Sequence, residues 1–380
     1  MQAKAPDRYC RRILLAVTGL SPQVVTETLY AVAVENDPPF MPSEIHLLTT
    51  GEGAERAQLT LLHQQTGWFQ RLCHDYALSG IKFDPDDIHI LSGAENSPLE
   101  DIRSPRDNEA AADTITEQVR EFTSDPNSAV HVSIAGGRKT MGFFAGYALS
   151  LYGRVQDRLS HVLVSAPFES HPDFYYPTPY SRVIFTQGPD SRPLDTQNAR
   201  VTLAEIPFVR LRDGLPKRLL EGRASFSDTV MAAQRALEPP SLLIDARNRR
   251  IVAGEETVCL APADLAFYSW MARRRMNARH PVRWTSEGIR EEYLAEYADI
   301  VGKWSGDYER VETALKDGVN EEWFEQRKAK TNAALRAGLG EQLAKPYLIT
   351  AKGQRPGTRF GLALAKGAIR FSGPTGLSDE

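Results

Sequence analysis

Residues 133–140 read Ser133-Ile134-Ala135-Gly136-Gly137-Arg138-Lys139-Thr140, an apolar run that meets a glycine pair and then two cations. Val130 to Ile134 has the character of a buried strand, and Thr140 to Tyr152 that of a largely apolar helix. Gly136 and Gly137 therefore fall in the turn at the carboxyl end of a strand, the edge where open α/β sheets hold ligands. Glycine lets a backbone approach an anion closely, and the N-terminus of the next helix offers free N–H groups beside Arg138 and Lys139.

The same junction occurs earlier in the chain. Ile13 to Val17 is a short apolar run, followed by Thr18-Gly19-Leu20-Ser21-Pro22-Gln23 and a helical stretch from Val24 to Val34. Proline suits a first helical turn, and Ser21 before it reads as an N-cap. Ser21 has a second reading, as a ligand contact, because in a parallel sheet both turns share one carboxyl edge.

Between and beyond these turns, short apolar runs alternate with amphipathic stretches, the pattern of a parallel sheet covered by helices. The expected strands are Ile13 to Val17, Glu44 to Thr49, Asp87 to Leu91, Ala129 to Ile134 and Leu159 to Ser165. Helices are expected over Val24 to Val34, Gly53 to Gln65, Asn108 to Thr123 and Thr140 to Tyr152. The fold class is α/β, a Rossmann-like parallel sheet flanked by helices. Pro167 to Tyr180, rich in Pro, Tyr and His, reads as an ordered covering loop, while Arg182 to Phe185 and Val201 to Leu211 read as a closing hairpin or edge strands.

A chain of 380 residues has room for two domains. The expected division is 1–211 for the Rossmann-like domain, 212–240 for a helical linker ending at Glu238-Pro239-Pro240, 241–372 for a second α+β domain and 373–380 for a flexible tail. The net charge of −4 gives no whole-chain argument for nucleic acid. Cys10, Cys73 and Cys259 are scattered without metal-ligand spacing, which argues against a zinc site and a disulfide framework and for reduced thiols. His89, His161 and His171 have no ligand-like spacing either, so no metal and no cofactor is expected. Without a bilayer-length apolar run or a secretory signal, the expected location is the cytoplasm, away from membranes.

In the second domain a hairpin is expected from Leu242 to Leu260, then a helix over Leu265 to Met276. From Arg327 to Arg370 there are ten Lys or Arg residues against one acid, Glu341, a local excess of +9. They lie on a helix over Glu321 to Leu339, a strand near Pro346 to Thr350, a basic turn from Lys352 to Thr358 and a strand over Phe360 to Leu364. Helix, strand, basic turn and strand is the plan of a winged helix-turn-helix, which makes Arg327, Lys328, Lys330, Arg336, Arg355 and Arg359 candidate phosphate contacts. A winged domain also serves as a dimer or partner module, and charge alone does not choose between these uses.

Together, Thr18-Gly19-Leu20-Ser21-Pro22-Gln23-Val24-Val25-Thr26-Glu27 and Gly136-Gly137-Arg138-Lys139-Thr140 resemble the CARF-domain proteins of type III CRISPR systems, most closely their ring-nuclease branch. The resemblance covers roughly the first 210 residues, and the C-terminal half is similar to the winged-helix appendage of many such proteins. It implies a homodimer whose two Rossmann-like domains form a symmetric pocket for a cyclic oligoadenylate, most often the tetra-adenylate. In ring nucleases of this kind a Ser in the first turn and a Lys after the glycine pair act at the scissile phosphate, and Ser21 and Lys139 match them. A ribose 2′-OH would attack the neighbouring phosphorus without a metal, giving a 2′,3′-cyclic phosphate. Many CARF domains only sense their ligand.

Gly136 and Gly137 would then admit the ligand's backbone, with Thr18, Gly19 and Thr140 in the same cradle. Arg138 is open to a phosphate contact or a structural ion pair. Thr49, Thr50 and Gly51, at the end of the second strand, either line the pocket or cap the next helix, and Gln23 and Glu27 either reach the pocket or support its first turn. Gly137 to Thr140 is not a Walker A, because Arg138 stands where that motif needs the glycine before its lysine. Arg275 and His280 have the R-x4-H spacing of HEPN ribonucleases but read as surface cations near a helix end before Pro281. The alternatives to a ring nuclease are a cyclic-oligoadenylate-responsive DNA-binding regulator and a ligand-activated ribonuclease.

Overall fold

The computed structural model describes residues 4–93, 97–186, 191–354 and 357–372. They fall into two compact units, one within Met1–Arg212 and Leu219–Met231, the other within Asp213–Arg218 and Ala232–Glu380. The first unit runs β1 (Arg11–Val17), α1 (Gln23–Tyr30), β2 (Glu44–Thr49), α2 (Gly51–Leu61), α3 (Trp68–Asp75), β3 (Ile88–Ile90), α4 (Pro105–Phe122), β4 (Ser128–Ser133), α5 (Lys139–Tyr152), β5 (Arg158–Val164), β6 (Val183–Phe185), β7 (Pro193–Asp195) and β8 (Val201–Glu205).

Ile13 to Val17 are all fully buried, as a central strand covered on both faces requires. Leu14 and Ala16 pack with Val25 and Leu29 of α1 and with residues of α2 and α3. By strand alternation Ile13, Leu15 and Val17 face the other side, and α4 and α5 pack on each other. The sheet order is β3-β2-β1-β4-β5-β8. β1 is parallel to β2, with Ile13 opposite Glu44, and to β4, with Ala16 opposite Ser133. The chain moves outward from β1 in one direction, then returns to lay β4 on its other side. That reversal puts the turns after β1 and β4 side by side at a topological switch point.

The main departures from the sequence reading have local causes. α4 starts at Pro105 rather than Asn108, because Ser104 Oγ accepts from the Asp107 N–H at 3.1 Å while the Asp107 carboxylate accepts from the Ser104 N–H at 2.9 Å, a complete capping box. α1 continues as a π-helical turn over Ala31–Glu35. Val201 to Leu211 is strand only as far as Glu205, antiparallel to β5 at the sheet edge, and Val183–Phe185 pairs with Pro193–Asp195 instead. α3 was not expected; it receives the covering loop. Trp68 stacks on Tyr175 at 4.6 Å, Tyr76 donates to the Pro177 carbonyl at 2.6 Å, and Tyr176 donates to Asp75 at 2.8 Å.

Residues 212–240 carry α6 (Lys217–Glu221) and α7 (Phe226–Arg235), and they are divided between the two units. The second unit continues with β9 (Leu242–Asp245), β10 (Arg250–Ala253), β11 (Glu256–Cys259), α8 (Pro262–Met276), α9 (Ile289–Val301), α10 (Gly306–Ala314), α11 (Glu321–Leu339), α12 (Glu341–Ala344), β12 (Ile349–Lys352), β13 (Arg359–Leu362) and β14 (Ile369–Phe371). One sheet is ordered β11-β10-β9-β14, and β12 and β13 form an antiparallel hairpin. Phe267, Trp270 and Phe324 anchor a core shared by α8, α9, α11 and both sheets. Residues 373–380, expected to be a flexible tail, lie outside the described residues. Among the described residues no helix is long and apolar enough to cross a membrane.

Candidate functional site

The turns after β1 and β4 interlock. Gly137 has φ +79°, and a Cβ there would meet Met141 Sδ at 3.2 Å and the Thr18 carbonyl carbon at 3.3 Å. A Cβ on Gly136 would meet Thr18 Oγ1 at 2.8 Å and Val24 Cγ2 at 2.9 Å, and one on Gly19 would lie 3.4 Å from the Gly137 Cα. The glycines thus let one turn pack on the other. Thr18 is fully buried and braces its own turn, its Oγ1 donating to the Ser21 carbonyl at 2.9 Å and its N–H to the Leu48 carbonyl at 3.1 Å.

Ser21 does not act as the cap its position suggests: Pro22 is the N-cap of α1, without a side-chain capping bond. Ser21 lines a cleft of ≈ 330 Å³. Gln23, Val24 and Glu27 of α1 line it on one side, Gly136 and Gly137 on another, and His161 and Leu163 of β5 with Glu169, Ser170 and His171 close it. Arg138 precedes α5 as its N-cap, no side chain caps that helix among the described residues, and its first turn has no acid. Lys139 and Thr140 open α5 with exposed side chains and are not among the residues lining the cleft. Helix N-terminal N–H groups with an adjacent lysine attract an anion.

Arg138 is committed elsewhere. Its Nε donates to Asp101 Oδ1 at 2.9 Å and its Nη2 to Asp101 Oδ2 at 2.5 Å, so the ion-pair reading holds in this structure. That guanidinium holds the Asp101 carboxyl well below the usual carboxylate range, against the opposing effect of burial. Thr50 caps α2, its Oγ1 accepting from the Gly53 N–H at 3.4 Å. Gly51 donates its N–H to the Leu99 carbonyl at 2.8 Å and lies beneath Glu100, whose Oε2 a Cβ would approach to 2.5 Å. Thr49 is fully buried. The second strand's end is therefore covered by the segment carrying Leu99, Glu100 and Asp101 instead of joining the cleft.

Two polar side chains of α1 stand out inside the cleft. Gln23, 9% exposed, donates from Nε2 to the Pro172 carbonyl at 2.9 Å and leaves its buried Oε1 without a partner. Glu27, 7% exposed, has its carboxyl pushed up to about 8 by burial. His171 is a structural anchor, since Nε2–H donates to the Phe185 carbonyl at 2.8 Å and Nδ1 accepts from the Asp173 N–H at 3.1 Å, which occupies both ring nitrogens. Glu27 was detectable as an acid within the run Val24-Val25-Thr26-Glu27-Thr28-Leu29. Asp101 had no such signal, because its partner is 37 positions away.

In the second unit most of the candidate cations are bound to their own surroundings. Arg327 pairs with Asp264 at 2.8 Å, Lys328 with Glu325 at 2.5 Å, and Arg336 with Glu341 at 3.3 Å. Lys328 also lies 3.8 Å from the centre of the Phe360 ring, and Arg359 donates to the Pro281 carbonyl at 3.3 Å. Lys330 is exposed, and Arg355 lies outside the described residues. Arg275 donates from Nε to the Leu364 carbonyl at 2.6 Å, and His280 follows the end of α8 as an exposed residue.

The first unit is thus a Rossmann-like α/β protein with a polar cleft at its switch point. Residues 21–239 match the family described as CRISPR-associated protein NE0113 (Cas_NE0113), and the chain belongs to that family. Solved structures similar to it include Enterococcus italicus Csm6 bound to cyclic hexa-2'-fluoro-hexa-dAMP, 10% identical with a TM-score of 0.28 over 86% of this chain and 62% of that one. Another is protein VC1899 from Vibrio cholerae, 11% identical with a TM-score of 0.24 over 92% of this chain and 75% of that one. This chain spans less than two thirds of the length of that Csm6 chain, and likenesses so low carry no functional weight. No curated protein matches the sequence.

Proposed function

We propose that the chain is a CRISPR ring nuclease that binds cyclic tetra-adenylate across a homodimer axis and opens it without a metal. The observation that carries this reading is Ser21, free of a capping bond, lining a cleft walled by Gly136 and Gly137 beside the uncapped start of α5. A ribose 2′-oxygen attacks its neighbouring phosphorus in line as the bond to O5′ breaks. The 2′-OH gives up its proton, the departing O5′ takes one, and the products are a 2′,3′-cyclic phosphate and a 5′-OH. Ser21 orients the phosphate or the attacking hydroxyl, and Lys139 offsets the charge that builds on the phosphoryl oxygens.

A cleft of ≈ 330 Å³ is too small for four nucleotides. Pairing two copies about a two-fold axis doubles it and matches a two-fold ligand. Leu20, Phe143 and Leu163, on the β1 turn, α5 and β5, are 50%, 59% and 52% exposed, apolar surface that a second copy would bury. The test is incubation of the purified protein with labelled ring in EDTA. Linear products with cyclic phosphate ends are expected, and an intact ring after long incubation with excess protein sinks the reading. Lys139→Ala is expected to slow single-turnover cleavage by about 10²–10³-fold; an unchanged rate removes Lys139 from the mechanism.

The second reading is a ligand-responsive DNA-binding regulator, and one feature favours it. Val282, between α8 and α9, bridges Phe360 of the β12–β13 hairpin, which supports reading that hairpin as a wing and α11 as the groove-reading helix. The ion pairs of Arg327, Lys328 and Arg336 leave that helix less charge for phosphates than its composition suggests. Duplex binding at low salt that changes with the cyclic ligand supports this reading, and no binding at low salt discards it. A ribonuclease acting through Arg275 and His280 is the least supported, because Arg275 is spent on a carbonyl.

A further inference from the structure

We propose that Gln23 and Glu27 form an adenine-reading edge: Gln23 Oε1 accepts from the 6-amino group of a bound base, and the Glu27 carboxyl donates to a ring nitrogen. This deepens the proposed function and rests on it for the identity of the ring.

Gln23 Oε1 is buried and unpartnered, and the amide's orientation is fixed by the bond from Nε2 to the Pro172 carbonyl. A buried acceptor calls for a donor, and a phosphodiester has none to give. An exocyclic amine has two. Glu27 lies one turn further along α1 and lines the same cleft, so both side chains project from one helical face. Among the described residues no cation pairs with it, and burial favours its neutral form. A neutral carboxylic acid both donates and accepts, and beside a ligand of phosphodiesters it avoids the repulsion a carboxylate would bring.

Acceptor beside donor is the complement of adenine, where an amino group adjoins a ring nitrogen with a free lone pair. Hypoxanthine presents the reverse pattern, a 6-oxo group and a protonated N1, so its oxygen would face Gln23 Oε1. Sites built to hydrogen-bond a substrate group reject the analogue lacking it far more strongly than shape alone can. The other titratable groups lining the cleft are His161 of β5 and Glu169 and His171 of the covering loop, and both ring nitrogens of His171 are engaged by backbone bonds.

The test is calorimetric titration of the full chain with cyclic tetra-adenylate, the same ring carrying hypoxanthine, AMP and IMP. The wild-type chain is expected to favour adenine by on the order of ten- to hundredfold, and Gln23→Ala and Glu27→Ala are each expected to lose most of that ratio. Glu27→Gln keeps both donor and acceptor and so keeps the ratio. It also keeps it above pH 8, where the wild-type preference fades as the Glu27 carboxyl ionises. An adenine ratio unchanged in both alanine variants, with the ring still bound, overturns this inference and leaves the ring reading intact. A Glu27-dependent preference for AMP without ring binding does the opposite. Binding of neither ring nor AMP overturns both.

Discussion

Glu27 sets a second expectation, on stability. Its carboxyl moves from an ordinary value of 4.5 to about 8 on folding, so the folded chain holds the proton more tightly than the unfolded one. Stability from this group is therefore fully present below about pH 4.5 and is lost as pH rises toward 8. The wild-type chain is expected to lose up to about 5 kcal/mol across that window, and Glu27→Gln to lose none of it. Urea unfolding of both proteins between pH 5 and 9 measures the difference; parallel curves would mean that Glu27 ionises freely in the fold. Sequence reading had left Glu27 between two uses, because period alone places it on α1 without saying that the helix face turns into a cleft. The buried bond by which Thr18 braces its turn is equally invisible in one dimension, as is the room that Gly136 and Gly137 make for that turn while lining the cleft.

The junctions between elements explain which parts of the fold could be read in advance. β1, β2 and β4 are buried on both faces, and such burial makes their runs visible in one dimension. α3 was invisible because it is short, has no side-chain cap, and is stabilised by aromatic contacts to residues a hundred positions later. The β4 turn is where mutation is expected to hurt most. Gly136→Ala drives a methyl against Thr18 and Val24 and is expected to cost about 1–3 kcal/mol, while Gly137→Ala adds backbone strain of about 1–2 kcal/mol at its positive φ. Asp101→Ala should cost under about 1 kcal/mol despite losing a two-point contact, since the Arg138 side chain is 52% exposed. Thermal unfolding of the three variants checks that order, and an Asp101→Ala effect larger than that of Gly136→Ala would contradict it.

The first unit also has an acid limit that runs opposite to the Glu27 effect. His131 is fully enclosed, bonded through Nε2 to Ser160 Oγ at 2.7 Å, and burial holds its ring down to about 4. Burial likewise lowers His46 and His89, whose Nδ1 and Nε2 lie 2.9 Å apart. Unfolded imidazoles take up protons near pH 6.5, so the stability these groups confer is complete above that pH and declines as pH falls toward 4. In the Glu27→Gln background this limb is expected above the range where carboxylates protonate, as a urea midpoint that falls steadily from about pH 6.5 to 5; a flat midpoint would refute it. The interlocked turns have a further consequence for how sequences of this family drift. Positions 18, 24 and 136 compete for one small volume, so an added methyl at 136 becomes admissible once 24 has shrunk. In a randomised library selected for folding, substitutions at 24 and 136 should be recovered as pairs, and the residues nearest the proposed chemistry would inherit that pairing as a limit on how they can change.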